Sequence, residues 1–378
     1  MSEGSDNATN LPDHVCLVAE RSLLQSSYGS LRRLVLGIID EPIRVTLVLP
    51  ASGYVGTLAA LPIRVLQHTP LIWPLFYLSN TNSVADELEE SPPRLIHGLS
   101  GRTYRQVRQL AEHFDIPYVL HVRRIDSRRL VPPPQPPRCG HLFAGTESIR
   151  DYLMQQFPSM AARVSYLPLV SYAASNPNCF ADDSRRPCIV ASGIGAELED
   201  IDVYLKVARK LIDGGLDAMF FLIAANDQEM GLRRRVAAAN LTKELTIIDA
   251  QPEMYGMFKG ADVFVVLHPL QEMDMSLVEA MAAGLAIVSV PGSALSETVA
   301  EKVALPFQRG SVDQLSQRLR HLIDHHAVAR ALGAAAQQHI KSHHSPGRAA
   351  QGVLKIYSQV LGEHTSLTNA VARSAKSV

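Results

Sequence analysis

The sequence predicts an α/β protein made of two doubly wound, Rossmann-like domains. Three observations carry that expectation. Short apolar runs of strand length recur along the 378 residues with little alternation, the mark of strands buried on both faces. Segments of helical periodicity separate them, and strand–helix–strand repetition demands parallel sheets with right-handed crossovers. A polar stretch, residues 172–186 (YAASNPNCFADDSRR), interrupts the pattern near the middle. At roughly 100–200 residues per domain, the chain is long enough for two cores.

In the first half, the expected strands are residues 14–19, 44–49, 94–99, 117–122, 141–145 and 163–168. In the second they are residues 189–192, 219–224, 245–249, 262–267 and 286–290. Helical spacing covers residues 204–213, 228–239 and 276–283, and a first long helix opens at Tyr28. The domains expected from this pattern are residues 1–172 and 187–345, followed by a helix over 346–363 and a flexible tail over 364–378. A proline-rich run at 132–137 reads as an extended surface loop.

Composition excludes other classes. A hydrophobic fraction of 47% is incompatible with global disorder, and a net charge of −1 argues against a general nucleic-acid binder. The cations are unevenly distributed: the first 180 residues carry sixteen Arg and no Lys, the remainder twelve Arg and eight Lys. Cys16, Cys139, Cys179 and Cys188 form neither a C-x-x-C pair nor a metal-ligand pattern, so a reducing cytoplasm is expected. The polar, acidic start MSEGSDNATN does not read as a signal peptide, and no apolar run of about 18 residues is present to span a membrane. Residues 71–78 (LIWPLFYL) are too short to span and carry an internal proline; they could touch a lipid surface, but a buried strand or loop fits them better.

The segment with most chemistry is 261–297, ADVFVVLHPLQEMDMSLVEAMAAGLAIVSVPGSALSE. It reads as a buried strand, a polar loop, a helix starting near Ser276, a glycine stop at Gly284 and another strand. In a doubly wound domain ligands gather at the carboxyl ends of strands. The N–H groups of Met275, Ser276 and Leu277, at the start of that helix, suit a phosphate. One turn on, Glu279 could accept hydrogen bonds from ribose hydroxyls, or simply favour the positive end of its helix.

EAMAAGLAIVSV, preceded by ADVFVVL, resembles the donor-site region of the group 1 glycosyltransferases, which have the GT-B fold of two doubly wound domains facing across a cleft. Residues 116–122 (IPYVLHV) and 144–153 (AGTESIRDYL) resemble later elements of that family's first domain. Residues 315–332 and 348–361 resemble its closing helices, the last of which crosses back onto the first domain. The resemblance implies retaining transfer of a sugar from a nucleotide-diphospho-sugar to a glycan or lipid-linked acceptor, as in polysaccharide biosynthesis. It implies no metal and no permanently bound cofactor. Partners would be the nucleotide sugar and the acceptor, with at most peripheral membrane contact. Leaving-diphosphate charge would be met by a helix N-terminus and by cations of the second domain.

The charge pattern departs from that family. Its two glutamates are separated by seven residues; Glu279 matches the second, Gln271 stands at the first, and Glu272 fits only if the loop shifts register. Asp274 stands where a glycine or proline usually precedes the phosphate-binding amides, and a carboxylate there repels a diphosphate unless paired or turned outward. In the second domain's first loop, residues 192–202 (SGIGAELEDID), Gly193 fits the expected turn, but Ile194 and Glu199 stand where cations are expected. After the strand ending at Val122, Arg123 replaces the usual histidine, with His121 two residues earlier. The usual Gly-Gly pair after the last donor-side strand is thinned to Pro291-Gly292-Ser293. Arg123, Arg124, Arg128, Arg129 and Arg138 could bring guanidinium groups to a phosphate from the other domain, or form a solvated surface loop.

The expected catalytic set is therefore Gln271, Glu272, His121 and Arg123. Donor contacts are expected from Gly193, Met275, Ser276, Leu277 and Glu279, and acceptor or phosphate contacts from Tyr28, Gly29, Arg124 and Arg128. His97 reads as a structural histidine or a cleft residue, and the pairs His325-His326 and His343-His344 lack matching metal ligands. Two other functions fit parts of the sequence: a catalytically degenerate GT-B protein that binds a glycan or a partner, and a nucleotide-sugar epimerase.

Overall fold

A computed structural model describes residues 11–51, 54–68, 77–125, 138–182, 184–224, 229–251, 254–269, 274–292 and 297–375. The expected surface loop at 132–137, and most of the apolar run at 71–78, lie outside these residues. The chain forms two compact units, Met1–Pro168 with Pro346–Val378, and Leu169–Ser345.

The first unit runs β1 (His14–Val18), α1 (Arg21–Ser26), α2 (Tyr28–Ile39), β2 (Arg44–Pro50), β3 (Arg64–His68), α3 (Tyr77–Glu89), β4 (Leu95–Gly98), α4 (Tyr104–His113), β5 (Tyr118–Val122), β6 (Cys139–Ala144), α5 (Glu147–Gln156) and β7 (Val164–Tyr166). The second runs β8 (Cys188–Ser192), α6 (Leu198–Asp213), β9 (Met219–Ala224), α7 (Glu229–Ala238), β10 (Leu245–Asp249), α8 (Tyr255–Phe258), β11 (Val263–Val266), α9 (Met275–Ala283), β12 (Ala286–Ser289), α10 (Glu297–Val303), β13 (Ala304–Pro306), α11 (Val312–Asp324) and α12 (His326–His343). A long helix, α13 (Pro346–Ala375), returns to the first unit.

Both sheets are parallel, ordered β3-β2-β1-β4-β5-β6-β7 and β10-β9-β8-β11-β12-β13. The order reverses between β1 and β4 and between β8 and β11, the doubly wound signature. Every residue of β1, β4, β5, β6, β8, β11 and β12 is buried, as their near-continuous apolar sequences require. Sequence pattern missed β3 and β13. RVLQH is a half-exposed edge strand with polar residues, and ALP is three residues long and ends in proline.

The polar stretch 172–186, whose composition suits a linker between the two domains, is instead tied to the second unit. Ala174 and Asn178 N–H groups donate to the carbonyls of Ala282 and Ala283 at the end of α9, both at 2.9 Å. Cys179 and Phe180 are buried in that unit's core. The unit already begins at Leu169. All four cysteines are buried free thiols, each pushed up to about 12 by burial.

α13 completes the first core. Ala350, Val353, Leu354, Tyr357, Val360 and Leu361 pack with residues of β1, α2, β2 and β5. The approach is close because of two glycines: a Cβ on Gly37 of α2 would lie 2.5 Å from the Ala350 Cβ, and one on Gly140 of β6 would strike Val360. Tyr357 Oη and His97 Nδ1 share a hydrogen bond of 2.7 Å in this core. Beyond residue 363, where the sequence reading ends the packed helix, α13 continues to Ala375.

In the second unit α9 ends at Gly284, whose φ of +76° is left-handed and suits glycine. Its carbonyl is packed under Gly333 of α12, so closely that a Cβ on Gly333 would strike it. Gly333→Ala must therefore push α12 off α9 and is expected to cost about 1–3 kcal/mol. Gly362→Ala, with open space around it, is expected to be neutral or slightly stabilising. Thermal unfolding midpoints of the two variants check this.

Burial pushes His97 down to about 3 and His141 to about 4, so both are neutral in the fold. In the unfolded chain each takes up a proton near pH 6.5. Stability is therefore fully present above that value and falls as the pH drops through it, by about 1.4 kcal/mol per pH unit for each histidine. The unfolding midpoint should fall between pH 7 and pH 5, and His141→Asn should make that fall shallower. A slope unchanged in the variant would contradict the assignment.

Candidate functional site

The carboxyl ends of β8 and β11 lie side by side where the second sheet reverses order, with Ser192 beside Val266. Two loops leave this point. After β8, the Gly193 N–H donates to the Ile223 carbonyl at 2.8 Å, and a Cβ there would sit 2.9 Å from that oxygen, so close backbone approach dictates glycine. Gly195 has φ +72°, and a Cβ on it would lie 3.3 Å from His268 Nε2. After β11 come His268 and, beyond residues outside the described set, Asp274 at the N-cap of α9.

Asp274 binds both sides of the switch point. Its Oδ1 accepts the Ser276 N–H at 3.1 Å, and its Oδ2 accepts the Ser192 hydroxyl at 3.0 Å and the Ser276 hydroxyl. It is thus paired, as an acceptor of three donors, instead of standing as a bare repulsive charge. Met275, Ser276 and Leu277 are brought to this place and are buried. Glu279, 1% exposed, turns into the interior, where Oε2 accepts the Met254 N–H at 3.0 Å and anchors the start of α8.

The acids of the first loop also have partners. Arg309, in the turn after β13, donates to Asp200 through Nε and Nη2, both at 2.8 Å, and to Glu197 at 2.7 Å. Arg235 pairs with Asp202. His268 lies among Asp200, Arg309, Asp274 and Glu197; burial lowers its pKa most, opposed by the three carboxylates, and its buried Nδ1 has no partner among the described residues.

In the first unit, Arg123 follows β5, is buried, and donates from Nη2 to the Ser27 hydroxyl at 2.6 Å. Ser27 precedes α2 and makes no side-chain cap bond. His121 is not at the solvent edge: it lies within β5 against Phe143, and burial first, then Arg123 and His97, hold it well below its ordinary pKa. Tyr28 is also turned inward. Its hydroxyl donates to the Val55 carbonyl at 2.8 Å and accepts the Leu58 N–H at 2.9 Å, pinning the turn at Gly56–Ala60. Gly29 is buried beside it, whereas Arg124 is exposed. Arg138 leaves the expected arginine cluster: it stands at the amino end of β6 and pairs with Asp115 at 2.6 Å. Gln271, Glu272, Arg128 and Arg129 lie outside the described residues.

Sequence reasoning missed Ser27, Ser192, His268 and Arg309. His268 and Ser192 could have been found by following each strand to its carboxyl end; nothing local in the sequence marks Arg309. Among the described residues no group of three or more His, Cys, Asp or Glu could hold a metal, and no helix is long and apolar enough to cross a membrane.

Residues 186–325, which carry both loops and α9, match the family model of the group 1 glycosyl transferases. Over these residues the chain is similar to that family. No curated protein sequence matches the chain. Sucrose-phosphate synthase from Thermosynechococcus elongatus has a TM-score of 0.73 at 13% identity, over 93% of this chain and 100% of that one. HepE of Anabaena, in complex with UDP and glucose, gives 0.68 at 14% identity over 91% and 99%. A glycosyltransferase from Rickettsia africae gives 0.68 at 12% over 92% and 98%. The fold is GT-B, and family and fold together support transferase activity.

In the second unit, Asp200 is 4% exposed, so Arg309→Ala strands a buried carboxylate and is expected to lower stability. Asp200→Asn in the same background should recover part of that loss. Denaturant unfolding of both single variants and the double variant measures the coupling.

Proposed function

We propose that the protein moves a sugar from a nucleotide-diphospho-sugar, held at the carboxyl edge of the second sheet, to a glycan or lipid-linked acceptor with retention of anomeric configuration. One observation carries the reading: the family match spans the segments that build this edge, from β8 through α9 and β12. Solved neighbours support the donor class. HepE is recorded with UDP-glucose, and TarM from S. aureus with UDP and alpha-GlcNAc-glycerol.

In this reading the bond from the anomeric carbon to the diphosphate oxygen breaks and a bond to an acceptor hydroxyl oxygen forms. The acceptor proton is released, and the nucleoside diphosphate leaves. The start of α9 lies nearest the developing phosphate charge, where fixed N–H dipoles stabilise it without reorganisation. Glu279 holds α8 through the Met254 N–H, and a donor ribose reaches its carboxylate only if α8 gives way. On the first unit, Arg123 and Ser27 are polar groups at the carboxyl edge suited to an anionic acceptor.

Isothermal titration with UDP, GDP and ADP tests the donor reading. One of the three is expected to bind. Glu279→Ala should weaken that binding at least tenfold, while Glu279→Gln, which retains an acceptor for the Met254 N–H, should fold like the parent and bind at an intermediate level. Absence of binding at millimolar nucleotide would overturn the proposal. The anomeric configuration of the product, read by NMR, tests retention.

A further inference from the structure

Resting on the donor reading above, we propose that Asp274 is a resident anion that holds the place of a donor phosphate at the start of α9 and sets how tightly the protein takes a nucleoside diphosphate. The carboxylate makes the contacts a phosphate oxygen would seek. It accepts the Ser276 N–H from the helix terminus, the Ser276 hydroxyl, and the Ser192 hydroxyl from the neighbouring strand. These donors come from both loops of the switch point, so the carboxylate sits across the position where the sheet collects ligands.

The surroundings give an incoming phosphate little compensation. Arg309 is engaged by Asp200 and Glu197. The loop after β8, residues 192–202, contains no Lys or Arg. His268, among these charges, is held toward its neutral form by burial. A diphosphate therefore either displaces Asp274 from Ser192 and Ser276 or binds beside a like charge, and each route weakens affinity. Because the obstacle is charge on the phosphate side, the effect should be confined to phosphorylated ligands and should leave recognition of the base and ribose unchanged.

Calorimetric titration of the full chain and of Asp274→Asn and Asp274→Gly tests this, with UDP, inorganic pyrophosphate and uridine as probes. GDP or ADP, with its own nucleoside, replaces UDP if that is the nucleotide that binds. Asp274→Asn keeps an oxygen to cap α9 and removes the charge; Asp274→Gly removes both, and unfolding midpoints show whether each variant folds. The expected result is at least tenfold tighter binding of the nucleotide and of pyrophosphate by Asp274→Asn, with the nucleoside unchanged. Tightening in both variants, or in Asp274→Asn alone, supports the proposal. Tightening in Asp274→Gly alone overturns it, because charge is then not the obstacle. Nucleotide binding that is equal or weaker in both variants overturns it while leaving the donor reading intact. Absence of nucleotide binding in all three proteins overturns both.

Discussion

The second unit is organised around the carboxylate of Asp262, which is 1% exposed. Oδ2 accepts the Cys188 N–H at 2.8 Å, and Oδ1 accepts the Phe180 N–H at 2.6 Å together with Arg185. The backbone of the same residue donates to the Cys188 carbonyl and accepts from Ala286. One residue thus fixes the amino ends of β8, β11 and β12 and fastens the segment leading into β8. Burial raises its pKa, opposed by two backbone N–H groups and the guanidinium. With the amino ends locked in register, the carboxyl ends emerge together four or five residues later. That is why Ser192 and Asp274, 82 residues apart in sequence, meet within a hydrogen bond.

The architecture was legible because parallel strands buried on both faces write themselves as uninterrupted apolar runs. Where a strand lies at an edge, as β3 and β13 do, that signal fades. The stretch after Tyr172 hides its attachment for a different reason. Its side chains are polar, but its anchors are backbone N–H groups donating to Ala282 and Ala283, and composition says nothing about where a backbone bond goes. The site was legible only where it is local. E-A-M-A and the helix start can be read in one segment, whereas the Arg309–Asp200 pair joins residues 109 positions apart. Residue type also misled: Tyr28 and His121 are polar enough to suggest ligand contact, yet each is buried, Tyr28 on backbone groups and His121 against aromatic rings.

The near-zero net charge conceals an arrangement of local pairs. The acidic loop after β8 looks hostile to phosphate in sequence, but Arg309 and Arg235 answer three of its four acids. The arginine-rich segment after β5 looks like one patch, yet Arg123 is drawn inward to Ser27 while Arg138 belongs to the opposite end of the sheet. Several charges of this protein hold loops in place. Cations with a settled partner are poor candidates for a mobile role, since each must first give up its carboxylate.

The placement of α13 bears on how the polypeptide is made. The hydrogen bond between His97 and Tyr357 spans 260 residues, and six side chains of that helix belong to the first core. As the ribosome delivers the chain from its amino end, the strands of the first unit emerge early but lack their last wall. The second unit, continuous from Leu169 to Ser345, is available in full before that wall is synthesised. Vectorial synthesis therefore inverts the order of the sequence: the later unit can reach its native state first. The earlier one lacks the helix that packs against α2 and β6 until translation reaches α13.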